Sequence, residues 1–357
     1  MKNIKKTHIV LLIFLIIIIA AFFTFAPKDS RSSGVFKKEK LTIGLSFDSL
    51  VVERWQRDLE TFISYANDKD IEVNVQIAND NLELQKKQII ELINDDVDIL
   101  VILPSQYDAF QEELKIAEKE KIKVIAYDRL LTKGKVDAYI SFDNIGVGSK
   151  LAEQVILGIR DTPDNKKNII IINGDPNDNN SKLINKGIYS TLENIKDPSI
   201  NIIGEVWSNG WRENEAFSIV EEKINQGLRI DGIIAANDIL ATGAVEALAE
   251  RSLSGDVIVV GQDAELSACQ RIVEGSQKAT IYKPINQLSM VTVDYALKLI
   301  SDKRIEYEET IENDFKNNVV PYIKLDFIVV TKENIDEVIV NTGFHDKDSV
   351  YMNIREN

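Results

Sequence analysis

From residue 41 onward, short apolar runs alternate with stretches in which apolar residues recur every three or four positions. These are the periods of buried strands and of amphipathic helices. Leu41–Phe47, Ile71–Ala78, Asp98–Leu103, Lys123–Tyr127 and Ala138–Phe142 read as strands, with helices over Val52–Asn67, Leu82–Asn94 and Tyr107–Glu120. The alternation then restarts. Helices are expected over Ile145–Ile159, Ser181–Ile195, Glu213–Gln226, Ile239–Arg251 and Gln287–Ile300. Strands are expected over Asn168–Asn173, Asn201–Trp207, Gly232–Ala236, Val257–Gly261 and Ala279–Tyr282. Tyr322–Thr331 reads as one more crossover strand and the acidic stretch Ile305–Asp314 as a solvated loop. Repeated strand–helix–strand units imply an α/β fold with parallel sheets covered by helices on both faces. The restart implies two domains of similar build. No Pro/Ser-rich linker interrupts the chain near Asn144, so the domains are joined by short ordered segments.

The N-terminus follows another pattern. Lys2, Lys5 and Lys6 precede an apolar run from Ile9 to Phe25, just long enough to cross a hydrocarbon layer as a helix. Lysines ahead of the run favour a cytoplasmic N-terminus, which puts everything after Pro27 outside. A cleavable signal needs a small-x-small site. The candidate, Thr24-Phe25-Ala26, starts on threonine and is followed directly by Pro27, and no cysteine is there to carry a lipid. The preferred reading is an uncleaved transmembrane anchor over 9–26, with a cytoplasmic tip at 1–8 and a polar stalk at 27–40.

Composition removes several function classes. At 357 residues the chain is too long for one ordinary core and comfortable for two. A formal net charge of -15 repels phosphate backbones, so nucleic acid is not an expected partner. The single cysteine, Cys269, cannot form an internal disulfide, and with only His8 and His345 beside it the usual Cys/His zinc sets are out of reach. Asp175–Asn180 lacks the glycine and terminal glutamate of a calcium loop, so no metal is expected. Gly146-Val147-Gly148 lacks the third glycine of a dinucleotide fingerprint, and no phosphate loop is present. Cys269 has no histidine base; His8 and His345 read as solvated or packed. Hence no cofactor and no catalytic residue is expected.

Candidate chemistry lies just after the strands, where open parallel sheets bind ligands. Asp48, Pro104-Ser105, Asp128-Arg129, Asp143-Asn144, Gly174-Asp175, Asn237-Asp238, Gln262-Asp263 and Lys283 follow strands, with Asp178 and Asn180 further on. Arg54 and Trp55 start the first helix, and Trp211 ends the loop after Trp207. Asp and Asn after a strand commonly cap the next helix, which alone could explain Asp175, Asp238 and Asp48. It explains Arg54, Arg129 and Lys283 poorly, because cations oppose the dipole at a helix N-terminus. Planar side chains with paired oxygens or nitrogens suit sugar hydroxyls, and the C–H face of a pyranose packs on an indole. Trp207 reads as core.

In combination and order, Glu53-Arg54-Trp55-Gln56, Ala126-Tyr127-Asp128-Arg129, Tyr139–Asn144, Asp178-Asn179-Asn180, Asn209-Gly210-Trp211, Ala236-Asn237-Asp238, Gly261-Gln262-Asp263-Ala264, Tyr282-Lys283-Pro284 and Gly343-Phe344-His345 carry a resemblance. From about Leu41 to its end the chain resembles the D-xylose-binding members of the periplasmic sugar-binding family. The resemblance implies two Rossmann-like, doubly wound lobes joined by a three-segment hinge, the type I architecture of periplasmic binding proteins. The expected lobes are 41–144 with 285–321, and 145–284 with 322–357. It also implies that Arg54, Asp128, Arg129, Asp178, Asn180, Asn237, Asp263 and Lys283 hydrogen-bond a sugar while Trp55 and Trp211 sandwich it.

Transport-type members are released from the membrane or lipid-modified, and this N-terminus offers neither feature. The chain is therefore most similar to membrane-anchored xylose sensors paired with a histidine kinase of a two-component system. The expected function is an extracytoplasmic receptor for D-xylose or a similar pentose, not an enzyme, that signals to such a kinase. The alternative is the substrate-binding component of a xylose ABC importer, with its permease as partner. A sugar-responsive repressor would need a DNA-binding head where the apolar run stands, and a Rossmann enzyme would need a cofactor motif.

Overall fold

Ile99–Leu103 are wholly buried in the computed structural model, which describes residues 40–50, 53–160, 166–315 and 319–354. A strand apolar on both faces belongs inside a parallel sheet covered by helices on both sides. Its surroundings begin with β1 (Thr42–Phe47), α1 (Glu53–Asp68), β2 (Glu72–Ile77) and α2 (Leu82–Asn94). β3 (Ile99–Leu103), α3 (Gln111–Glu120), β4 (Lys123–Tyr127) and β5 (Ala138–Phe142) follow. Alternate β3 residues divide between two cores. Ile99, Val101 and Leu103 pack with α1 residues Trp55, Phe62 and Ala66, and Leu100 and Ile102 with Ile89, Leu92, Leu114 and Ala117 of α2 and α3.

The second lobe repeats the scheme with α4 (Asn144–Gly158), β6 (Lys167–Asn173), α5 (Asn179–Ile195), β7 (Ile200–Trp207) and α6 (Glu213–Asn225). It continues through β8 (Gly232–Ala235), α7 (Asp238–Ala249), β9 (Ile258–Gln262), α8 (Leu266–Glu274) and β10 (Ala279–Tyr282). The chain returns to the first lobe with α9 (Ile285–Ile300), β11 (Glu309–Glu312) and β12 (Val319–Leu325), then adds β13 (Ile328–Thr331) and a tail ending in α10 (Lys347–Val350) to the second. The sheets run β11-β12-β5-β4-β3-β1-β2 and β13-β10-β9-β8-β6-β7, parallel except where β11 meets β12 and β13 meets β10. Three short connections cross between the lobes: after β5, between β10 and α9, and between β12 and β13.

The structure departs from the sequence reading in four places. Tyr322–Thr331 is not one strand. Tyr322–Leu325 pair with Tyr139–Phe142 in the first sheet, so that lobe extends past the expected border at 321, and only Ile328–Thr331 join the second sheet. The Tyr322 ring stacks on Tyr139 at 4.8 Å, which ties the strand to the first lobe. Glu309–Glu312, read as loop, forms edge strand β11; an exposed edge has no apolar face to betray it. α8 stands where the sequence reading expects no element, although Cys269, Ile272 and Val273 bury one of its faces. The expected helix from Tyr107 starts only at Gln111. Among the described residues no helix is long and apolar enough to cross a membrane; the anchor expected over 9–26 lies outside the described residues.

The lone Gly-x-Gly of α4 has a packing role. A Cβ on Gly148 would meet the Ile184 carbonyl oxygen at 1.9 Å, and one on Gly187 the Ile145 oxygen at 2.0 Å, so the backbones of α4 and α5 touch. Gly148→Ala is expected to force the helices apart and cost about 1–3 kcal/mol, measurable by urea unfolding.

Candidate functional site

One pocket between the lobes is lined by Arg54, Trp55, Asp128, Arg129, Asp178, Asn180, Trp211, Asn237, Asp263 and Lys283, all ten residues selected from the sequence, together with Gln262. Parallel strands account for the convergence. Asp128 and Arg129 follow β4, Asn237 follows β8, Asp263 follows β9 and Lys283 follows β10, so the carboxyl ends of both sheets face one crevice. Arg54 and Trp55 come from the first turn of α1, Asp178 and Asn180 from the start of α5, and Trp211 from a short helical turn after β7. The pocket encloses about 40 Å³, room for a few waters, and shares Trp55, Arg129, Asp178 and Trp211 with an outer cleft of about 780 Å³.

Ion pairs cross the crevice. Arg54 donates from Nη2 to Asp128 Oδ2 at 2.8 Å and from Nη1 to Asp263 Oδ1 of the other lobe at 3.4 Å. Arg129 donates from Nη1 to Asp48 at 2.9 Å, and its Nε lies 2.8 Å from Asp178 Oδ2 across the crevice. Asn180 donates from Nδ2 to Asp128 Oδ1 at 2.8 Å, also between lobes. Lys283 Nζ stands 4.0 Å from Asp263 Oδ1. Arg54, Arg129 and Lys283 thus face Asp128, Asp178 and Asp263, and the lining is balanced in charge.

Capping and lining turn out to be compatible. Asp178 Oδ1 accepts the Asn180 N–H at the start of α5 while Oδ2 meets Arg129. Asn237 Oδ1 accepts the Leu240 N–H, and its Nδ2 donates to no described residue. Asp175 and Asp238 do not cap in the expected way. Asp175 accepts from the N–H groups of Asn177 and Gly210 and so shapes the loop that carries Trp211. Asp238 is buried beneath β9 and β10, accepting from Gln277, Thr280 and the Glu265 N–H.

Several buried polar atoms here have no hydrogen-bond partner among the described residues: Arg54 Nε, Trp211 Nε1 and Gln262 Oε1 in the pocket, and Asp48 Oδ1 beside it. Buried polar groups are nearly always paired in folded proteins, so these atoms offer donors and acceptors that water or a polar ligand in the crevice can satisfy. Gln262, a strand-end candidate beside Asp263, lines the pocket although the family resemblance assigns it no ligand contact. Its signal was position, since it ends β9 in the same strand-end motif. Asp58, Tyr139 and Ser141 were missed. Tyr139 and Ser141 donate to the Asp128 carbonyl oxygen at 3.0 and 2.6 Å. Asp58 lies four residues after Arg54 on the same face of α1, with carboxylate and guanidinium 3.6 Å apart.

The backbone is bent where it aims these groups. Asp128, Trp211 and Asp263 have φ of 58°, 56° and 95°, and such conformations cluster at functional sites when the surroundings over-determine them. The Trp211 ring lies on Gly174, where a Cβ would meet ring carbons at 2.2–2.4 Å, so only glycine leaves room for the indole. Trp55 is nearly buried, with the Arg54 guanidinium 4.1 Å above its ring.

Burial opposes charge on both arginines, yet Asp128, Asp263 and Asp58 hold Arg54, and Asp178 and Asp48 hold Arg129, protonated beyond their ordinary range. Asp128 feels the same burial, but Arg54, Lys283 and Arg129 keep its carboxyl below the usual value. Burial lowers Lys283 and raises Asp178. It also pushes Asp58 up to about 6, against the pull of Arg54 and the Tyr127 hydroxyl. Folded Asp58 therefore binds a proton more tightly than unfolded Asp58. Between about pH 4 and 6 the folded state holds more protons at this residue, so its contribution to stability declines as pH rises through that window. Asp58→Asn is expected to remove this component, reducing the decline by up to about 1.4 kcal/mol per pH unit, as read from urea midpoints of the two proteins across the window.

Residues 43–304 match the family described as "Periplasmic binding protein domain". A D-xylose-binding periplasmic protein of Haemophilus influenzae is 39% identical over 322 residues, covering 90% of this chain and 95% of the relative. Its counterpart in Escherichia coli is 37% identical over 309 residues, covering 86% and 92%. Among solved structures, an ABC transporter solute binding protein from Clostridium phytofermentans with bound beta-D-glucose aligns with a TM-score of 0.79 at 25% identity, covering 87% of this chain and 99% of that one. With a family match across most of its length and two such relatives over nearly all of it, this chain belongs to the periplasmic binding protein family and is a binding protein, not an enzyme.

Proposed function

We propose that this protein is an extracytoplasmic receptor for D-xylose or a similar pentose, closing its two lobes on the sugar and passing the closed state to a membrane histidine kinase. The observation that carries the sugar reading is the charge-balanced pocket between the lobes, with unpartnered buried donors and acceptors beside two indoles. A net-charged ligand would leave that balance broken in a buried place, at high cost. A neutral polyol keeps it, and its hydroxyls both donate and accept. The D-xylose-binding names of the two bacterial relatives support the pentose.

Because groups from both lobes meet at the pocket, a sugar held there interacts with the closed form far more than with an open one. Only that difference shifts the population. A decisive shift needs roughly 5 kcal/mol, within reach of several charge-assisted hydrogen bonds at roughly 1.5–3 kcal/mol each. The kinase partner rests on the N-terminal sequence, where lysines precede an apolar run that lacks a good cleavage site. The importer reading is favoured by the likeness to the Clostridium phytofermentans solute binding protein. Calorimetry against a pentose and hexose panel tests the ligand, with D-xylose expected to bind more tightly than D-glucose; equal affinities, or no sugar bound, would reject it. Sequencing the mature N-terminus separates the partners: an intact start supports the sensor, and a start near Pro27 the importer.

A further inference from the structure

Behind the pocket, a group of residues that the sugar contacts do not use joins its two halves. Arg57 lies one turn after Arg54 on α1, in the first lobe. Its Nη1 donates to the carbonyl oxygen of Phe344 at 2.7 Å, in the tail of the second lobe, and its guanidinium lies 4.7 Å over the Phe344 ring. Its Nη2 is 3.5 Å from His345 Nδ1. His345 is buried, and its Nε2 stands 2.8 Å from the carbonyl oxygen of Ala264, the residue after Asp263. A carbonyl only accepts, so Nε2 is the donor in that contact, while Nδ1 faces Arg57.

The turn that His345 holds needs holding. Asp263 and Ala264 are consecutive residues with φ of 95° and 52°, a conformation that persists only when its surroundings enforce it. Phe344 braces the other side, edge-on to Tyr282 at 4.8 Å and to His345 at 4.6 Å. A small cavity is lined both by Arg54 and Asp263 and by Arg57, Phe344 and His345, so the two groups adjoin.

We propose that Arg57 and His345 are positioning residues of the pocket, a clasp through the C-terminal tail that holds the helix bearing Arg54 and Trp55 in register with the turn bearing Asp263. The effect on sugar binding rests on the receptor reading above; the effect on the turn does not. The purified full-length protein, Arg57→Ala, His345→Ala and His345→Gln are compared. Glutamine places an amide N–H at a reach similar to Nε2 and can donate to the Ala264 carbonyl.

In sugar-free protein, amide hydrogen exchange at Asp263–Glu265 is expected to rise roughly tenfold in Arg57→Ala and His345→Ala, the loss of about one hydrogen bond, and to return toward wild type in His345→Gln. Calorimetry with D-xylose is expected to show affinity weakened roughly tenfold in the two alanine variants and recovered in His345→Gln. Exchange at the turn unchanged in both alanine variants overturns the clasp. So does unchanged affinity when wild type binds, or a glutamine variant as impaired as the alanine one. Faster exchange in a protein that binds no sugar at all upholds the clasp and rejects the receptor reading instead.

Discussion

Arg54→Ala is expected to abolish measurable sugar binding and to lower folding stability by about 3–5 kcal/mol, the cost of breaking a buried ion pair from one side. The guanidinium stands 2.8 Å from Asp128, 3.4 Å from Asp263 and 3.6 Å from Asp58. All three carboxylates are shielded from water, and burial already raises Asp58. Without Arg54, the close side-chain donors left among the described residues are Asn180 for Asp128 and the hydroxyls of Tyr127 and Ser289 for Asp58. Part of the loss should therefore be recovered at low pH, where protonation relieves the unpaired charges. Arg54→Lys is expected to rescue little, because one ammonium cannot serve carboxylates on both lobes as a planar fork does. Urea unfolding and calorimetry of both variants test this; a stability loss under about 1 kcal/mol would show that the cluster behaves as a solvated surface network.

Trp211→Ala is expected to have the second largest effect, weakening sugar affinity roughly a hundredfold, as loss of a central aromatic anchor does, with a much smaller effect on folding. The ring is only partly buried, it ends a short turn on the rim of the second lobe, and its Nε1 has no hydrogen-bond partner among the described residues to lose. Gly174→Ala provides an independent check, since the added methyl would occupy the space of the indole and push it out of place while leaving it in the sequence. Both variants should retain the wild-type unfolding free energy within about 1 kcal/mol, read from urea unfolding, and lose affinity in calorimetry. Wild-type affinity in Trp211→Ala would remove the indole from the ligand contacts.

Much of the fold could be read from the order of residues because its determinants are local. Strands such as Ile99–Leu103 are apolar on both faces, which a parallel sheet under two helical layers requires, and the helix spacing between them leaves few topologies. The pocket lining was legible in part: strand ends gather at one edge of each parallel sheet, which marks Asp128 in the first lobe and Asn237 and Lys283 in the second as candidates, and the family resemblance joins the two sets into one site. Edge strand Glu309–Glu312 was not legible, since a strand that buries little carries no apolar signature. The assignment of Tyr322–Leu325 to the first sheet was not either, because an apolar strand reads alike whichever sheet it joins, and only its pairing with Tyr139–Phe142 decides.

By itself, then, the sequence determined the two α/β lobes, the chemistry of the residues between them and the exclusion of metal and nucleotide motifs, because periodicity and residue type act over a few positions. Only the tertiary structure decided which charge meets which: Arg54 with Asp263, 209 positions away, and Arg57 with Phe344, 287 positions away. Such pairings depend on how two lobes, linked by three crossings, come to face each other. That geometry arises from packing across the whole chain, and no local pattern encodes it.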